Sequence, residues 1–187
     1  MRDDLVSAAL RLLEASGDPR EVSVGRIVAA ARCTPPSLYH YWPTREALLV
    51  EASARGYVAF RADQTRAVAG ADDPIERIVR RGRGYLAFAF ARPALFRVLF
   101  LDRPVAGAPE ARPSAPGSGL QDLVDDVGSA MEAGRLASGD PLLAAVALWS
   151  AVHGVAALWI ATPGLPPDLA ERTLELQQRA LLAGLAP

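Results

Sequence analysis

VSVGRIVAAARCTPPSLYHYWPTREALL, residues Val22 to Leu49, is the stretch whose reading decides the fold. Apolar side chains recur at the helical period in three runs, each separated from the next by residues that stop a helix. Ser23 is placed to cap the first run, with Val22 and Ile27 spaced as a hydrophobic staple. Thr34 precedes the second run, and Pro35 and Pro36 fall in its first turn, where a missing N–H costs nothing. Pro43-Thr44 repeats the punctuation, and Thr44 opens a long helix from Arg45 to about Val68. Leu38 and Trp42 lie one turn apart and point inward. That leaves Pro35, Pro36, Ser37, Tyr39 and His40 outward, with Tyr41 at the edge of the inward stripe. Two short helices packed at a fixed angle, the second with a bare polar face, form the helix-turn-helix that enters a DNA major groove.

The outward residues suit that task. Ser and Tyr hydroxyls donate to phosphate oxygens or base edges, and pyrrolidine rings suit thymine methyls. Few of them hold a base in two-pronged fashion, so much of the affinity is expected from the backbone and from the helix starts at Ser23 and Thr34. Arg45, at the head of the third helix, is expected on a phosphate.

Working outward, Asp4 to Ala15 reads as an amphipathic helix stopped by Ser16-Gly17. Helices are expected over Ile75–Ala91, Ala94–Leu101, Leu120–Leu136, Leu142–Thr162 and Pro167–Leu185. Arg103 to Gly119, loaded with Pro, Gly, Ala and Ser, reads as a mobile loop. The fold class is all-α, about nine helices with no strand alternation: a three-helix DNA-binding domain over 1–48 and a helical bundle over 49–187.

The segment SLYHYWPTREALL resembles the TetR family of bacterial transcriptional regulators, and ALRLLEASG and SVGRIVAAARC fit that family's first two helices. The likeness covers about the first fifty residues. Two positions depart from it: Arg32 stands where the family has the turn's glycine, and Cys33 where it has valine. An Arg in that turn accepts a left-handed backbone only at a cost. Further on, WSAVHGVAALW (Trp149 to Trp159) is similar to a subgroup whose sensor domain carries a Trp–x3–His–Gly (WHG) signature, and YLAFAFARPALFRVLF (Tyr85 to Phe100) resembles its central helices. The resemblance implies a one-component regulator, acting as a repressor, that binds a near-palindromic double-stranded DNA operator as a homodimer and is released by a small effector.

Composition sets bounds on this reading. Of 187 residues, 51% are hydrophobic and 22% charged, which is globular, and the net charge of −1 confines any DNA binding to a local patch. All 20 basic residues are arginine, which GC-rich coding explains. One cysteine, Cys33, excludes an intrachain disulfide and a cysteine-cluster metal site, and as a small inward residue it reads as a hydrophobe rather than a redox switch. With two histidines and scattered acids there is no convergent catalytic set, so neither an enzyme nor a metal or cofactor site is expected. The N-terminus is not a signal peptide, which places the protein in the cytoplasm.

Leu142–Thr162 is uncharged over a membrane-spanning length but carries Trp149, Ser150 and His153 mid-span and lacks flanking arginines to set topology. A helix buried between its own domain and a partner subunit needs the same composition. The homodimer is therefore expected through 142–162 and 167–185, with no membrane contact. Trp149 and His153 share a helix face. With Tyr85, Phe88, Phe96 and Phe100 they are the candidate walls of a pocket for a small, mostly apolar effector, His153 supplying its polar anchor. Arg77, Arg80, Arg81 and Arg83 read as a solvated helix face. The alternative left open is a helical adaptor or membrane-associated regulator without small-molecule sensing.

Overall fold

A computed structural model describes residues 1–102 and 119–187; the Pro/Gly-rich loop expected from Arg103 onward lies, Gly119 apart, outside them. The described residues hold nine α-helices and no strand: α1 (Arg2–Ala15), α2 (Val24–Ala30), α3 (Pro35–Tyr39), α4 (Arg45–Ala67), α5 (Pro74–Ala91), α6 (Pro93–Phe96), α7 (Gly119–Glu132), α8 (Pro141–Ala161) and α9 (Pro167–Gly184). A 3-10 turn (Pro19–Glu21) leads into α2, and α6 runs on as a π turn (Arg97–Leu101) closed by Asp102 N–H donating to the Arg97 carbonyl at 2.7 Å. The chain packs as two compact units. The first holds residues 1–60 with 91–102 and the second 61–90 with 119–187, among the described residues. The division thus falls inside α4, whereas the sequence puts it at 48.

In the first unit Leu5, Val6, Ala8, Ala9 and Leu13 of α1 are buried with Ile27, Val28, Leu38, Trp42, Leu48 and Leu49, so the periodic positions read from sequence do form one core. Ser23 caps α2 as expected, its Oγ accepting from Arg26 N–H at 3.3 Å. Asp18 does the same for the 3-10 turn, accepting from the Arg20 backbone N–H at 2.7 Å. The Arg20 side chain, followed by that N–H, holds the Asp18 carboxyl down at about 2.

The helix-turn-helix turn ends α2 in a Schellman motif, with Cys33 N–H on the Val28 carbonyl (2.9 Å) and Arg32 N–H on that of Ala29 (3.2 Å). Such a motif puts its first post-helical residue in the left-handed region. That residue is Arg32, at φ 53°, alone among the described non-glycine residues.

In the second unit, Ile78 of α5, Leu123, Val127 and Ala130 of α7, Leu136, and Ala144, Ala145 and Leu148 of α8 form the core, with Trp149, Leu181 and Leu182 against it. Asp140 caps α8, accepting from the Leu142 and Leu143 N–H groups at 2.9 and 3.4 Å. One expectation is corrected here. Of the α5 arginines only Arg80 and Arg83 keep to a solvated face: Arg77 and Arg81 both donate Nε to Asp126 of α7, whose side chain is buried, and Arg61 pairs with Asp122 at 3.0 Å. Arg80 reaches Glu76 and the Ala69 carbonyl, and Arg83 reaches Glu175 of α9 at 3.0 Å. An α5 face set against two aspartates of α7 uses its arginines as bridges.

The strained turn yields a test. A non-glycine residue in the left-handed region costs about 1 kcal/mol or more, and glycine's greater freedom in the unfolded chain offsets only part of the relief. Arg32→Gly should therefore raise the melting temperature by about 1–4 °C. Calorimetry showing no rise would mean that the Arg32 side chain compensates for its backbone.

Candidate nucleic-acid interface and effector site

Helix α3 presents its small face as the sequence implies. Leu38 and Trp42 are buried, while Thr34, Pro35, Pro36, Tyr39, His40 and Tyr41 are exposed and Ser37 is half-buried. Tyr39 and Tyr41 are bulky rings that keep 52% and 40% of their surface exposed. His40 packs edge-on against Tyr41, ring centroids 4.9 Å apart. From Val22 to Arg45 the chain carries Arg26, Arg32 and Arg45 and no acid, so this segment is locally positive although the chain as a whole is not.

Two details differ from expectation. Thr34 occupies the N-cap of α3, but its hydroxyl meets the Ser37 hydroxyl at 3.2 Å instead of a backbone N–H. Pro36 has no N–H to offer, and that of Ser37 is taken by the Thr34 carbonyl. Arg45 is turned inward: it donates to the carbonyls of Pro19 and Val22 at 3.3 Å each and pairs with Glu46 at 2.9 Å. It ties the entry of α2 to the head of α4, and a phosphate would have to compete with those bonds.

What sets the attitude of α3 is a carboxylate that sequence reading passed over. Glu51 of α4 accepts from Trp42 Nε1 at 2.8 Å and from Arg2 at 2.7 Å, and the Arg2 guanidinium lies 5.3 Å from the Trp42 ring centroid. One group thus joins the start of α1, the exit of α3 and the second turn of α4. Its only trace in the sequence is its three-residue spacing from the inward Leu48.

In the second unit, Tyr85 and His153 come together as the sequence grouped them. The Tyr85 hydroxyl and His153 Nδ1 are 2.9 Å apart, and Trp149 flanks the imidazole at 5.5 Å between centroids. Tyr85 is buried and His153 half-buried, and burial lowers the imidazole pKa below its ordinary value. Phe88 is buried in the same unit. Phe96 and Phe100 belong to the first unit, in an aromatic cluster with Tyr57 and Phe60: Phe100 lies 5.0 Å from Phe96 and 5.3 Å from Phe60. A groove of about 400 Å3 between α5 and α9 is lined by Val79, Arg83, Glu175, Gln178, Arg179 and Leu182, so charged side chains stand beside apolar ones there. Cys33 is half-buried. No group of His, Cys, Asp and Glu among the described residues is placed to hold a metal.

Residues 5–52 match the family described as bacterial regulatory proteins, tetR family, and residues 78–181 match the tetracyclin repressor-like C-terminal domain. The chain belongs to the TetR family. It is a helix-turn-helix, DNA-binding transcriptional regulator and not an enzyme. No curated protein matches it.

Among solved structures, a putative TetR-family regulator from Rhodococcus sp. shares 20% identity at a TM-score of 0.73, covering 97% of this chain and 98% of that one. Thermus thermophilus FadR, a TetR-family repressor in complex with lauroyl-CoA, shares 21% at 0.69, covering 100% and 96%. RolR in complex with resorcinol shares 17% at 0.70, covering 99% and 87%. At these identities the likeness is one of fold.

Two measurements probe this geometry. Glu51→Gln leaves every outward residue of α3 in place but replaces the carboxylate that holds Trp42 and Arg2. The regulator should stay folded yet lose about five- to thirtyfold in DNA affinity, since a charge-assisted bond contributes about 1–2 kcal/mol to positioning. Unchanged affinity would show that the contact does not orient α3.

The second measurement is of pH. Because the folded-state pKa of His153 is depressed, the unfolded chain takes up its proton first as pH falls. The stability tied to the neutral imidazole is complete above about pH 6.5 and is lost on acidification below it. His153→Gln keeps a polar side chain that cannot titrate, so its melting temperature should fall less than the parent's between pH 7.5 and 5.5. Parallel pH profiles would refute this.

Proposed function

We propose that this regulator is a repressor that binds a near-palindromic operator as a homodimer and releases it when a small, mostly apolar effector occupies the α5–α8 region. The observation that carries the dimer is the bare apolar surface of α8 and α9. Helix α8 is long and apolar enough to cross a membrane, yet its most apolar window is only 33% buried in this chain. Among the described residues, six of the ten exposed large hydrophobic side chains lie on these two helices: Leu142, Leu143, Val146 and Leu158 on α8, Leu169 and Leu176 on α9. A patch of that extent calls for a partner, and a second copy presenting the same surface closes it by two-fold symmetry. Gly154, exposed and with nothing near its would-be Cβ, permits a close crossing there. Covered in this way, α8 requires no membrane, and the reading places the protein in the cytoplasm.

The proposed DNA contacts are the exposed Pro35, Pro36, Tyr39, His40 and Tyr41, the half-buried Ser37 and the helix starts at Ser23 and Thr34. Arg45 acts chiefly by holding α2 against α4. Two such faces reach successive major grooves roughly 34–36 Å apart. For the effector, Tyr85 and His153 form a polar pair beside Phe88 and Trp149. That composition suits a neutral, largely hydrophobic molecule with one hydrogen-bonding group. The ligands of the two complexed structures above, resorcinol with its aromatic ring and lauroyl-CoA with its acyl chain, each have an apolar part.

One experiment tests the dimer and the DNA face together. Duplexes are selected from a random library by the parent, then bound by Leu176→Arg and by Tyr39→Ala. The parent should sediment as a dimer and select inverted repeats. Leu176→Arg should sediment as a monomer and lose more than tenfold in affinity, and Tyr39→Ala should remain dimeric but bind about five- to fiftyfold more weakly. A monomeric parent that binds a single half-site would sink the proposal.

A further inference from the structure

We infer that Gln64 is the positioning residue through which the Tyr85–His153 pair acts on helix α4. The inference builds on the effector reading of that pair. Gln64 lies in the last two turns of α4, within the second unit, and is 4% exposed. Its amide faces the backbone of α5. With the oxygen toward Tyr85 N–H (2.9 Å) and the nitrogen toward the Arg81 carbonyl (3.2 Å), both ends of the amide are satisfied, which the reverse orientation does not achieve.

The contact is close because α5 has no side chain there. A Cβ on Gly84 would sit 2.8 Å from Ala67 Cβ and 3.3 Å from the Gln64 amide. Any side chain at 84 would push α4 off α5 and separate the Gln64 amide from its partners.

Tyr85 is therefore bonded at both ends, its N–H to Gln64 of α4 and its hydroxyl to His153 of α8. A molecule that takes over the His153 imidazole breaks its bond to the Tyr85 phenol. If the ring and its backbone then shift, Gln64 must follow or leave a buried amide without partners, which is costly. Helix α4 is one rod, and its residues 45–60 belong to the unit that carries α3. Arg61, one turn before Gln64, is pinned to Asp122 of α7, so a pull at Gln64 acts on a segment already held on another side.

Hydrogen exchange read by mass spectrometry tests this on the intact protein without any effector. Tyr85→Phe removes the phenolic oxygen and with it the bond to His153. It should change the exchange rate of peptides within 45–60 by about threefold or more, the scale of a modest change in local opening. In a Gln64→Leu background the same Tyr85→Phe change should leave those peptides within experimental error. Gln64→Met, unbranched and without an amide, takes its place if Gln64→Leu does not fold. A parent chain in which Tyr85→Phe leaves 45–60 untouched would overturn the inference. So would an equal response with and without the Gln64 amide. A coupling failure leaves the effector reading standing, whereas an absence of any ligand-induced thermal shift removes that reading and leaves the coupling measurable.

Discussion

Helix α4 is approached closely at two points along its length, and much of the rest of the structure follows from that. In the first unit the approach is made at Gly56, where a Cβ would come within 2.7 Å of the Leu95 side chain. In the second it is made by Gly84 of α5 against Ala67. Glycine in mid-helix costs up to about 1 kcal/mol relative to alanine. Here that cost lets a 23-residue helix be held closely near its middle and again at its end.

Local features of the fold were legible in the sequence because they depend on residues three or four apart. The Ser23 cap, the prolines opening α3, the buried pair Leu38 and Trp42 and the awkward Arg32 turn all follow from short-range rules, and the structure has each of them. What stayed hidden was the choice of partner by long charged side chains. Arg45 reaches back to Pro19 and Val22, Glu51 collects Arg2 and Trp42, and Arg77 and Arg81 converge on Asp126 some 45 residues or more away. A guanidinium on a flexible stem reaches several backbone or carboxylate oxygens, and helix periodicity gives only the side of the helix it leaves from.

The candidate effector residues show the same limit. Tyr85 and His153 were grouped as polar members of an apolar region, and they do meet. Phe96 and Phe100 were grouped with them by composition and resemblance alone, and in the first unit they lie beside Tyr57 and Phe60. Aromatic residues carry no directional signal in sequence. Any of them fits any apolar core, and only the bend of the chain at Arg92-Pro93 and the π turn after it assigns these two.

Under the effector reading proposed above, the Tyr85–His153 bond also constrains what the regulator senses. Burial favours the neutral imidazole, so at neutral pH it offers one donor and one acceptor, and the Tyr85 phenol occupies Nδ1. A ligand that breaks this bond must replace it for both partners, because an unpaired buried hydroxyl or ring nitrogen costs about 1–3 kcal/mol. Purely hydrocarbon molecules fail that condition however well they fill the surrounding space. A molecule with a single hydroxyl or carbonyl on an apolar body meets it at one end and gains from burial at the other. Sites built to hydrogen-bond a ligand discriminate more sharply against its analogues than sites that only enclose it. A regulator with one polar pair among phenylalanine and tryptophan is therefore tuned to the position of one polar atom and tolerant of the hydrocarbon attached to it.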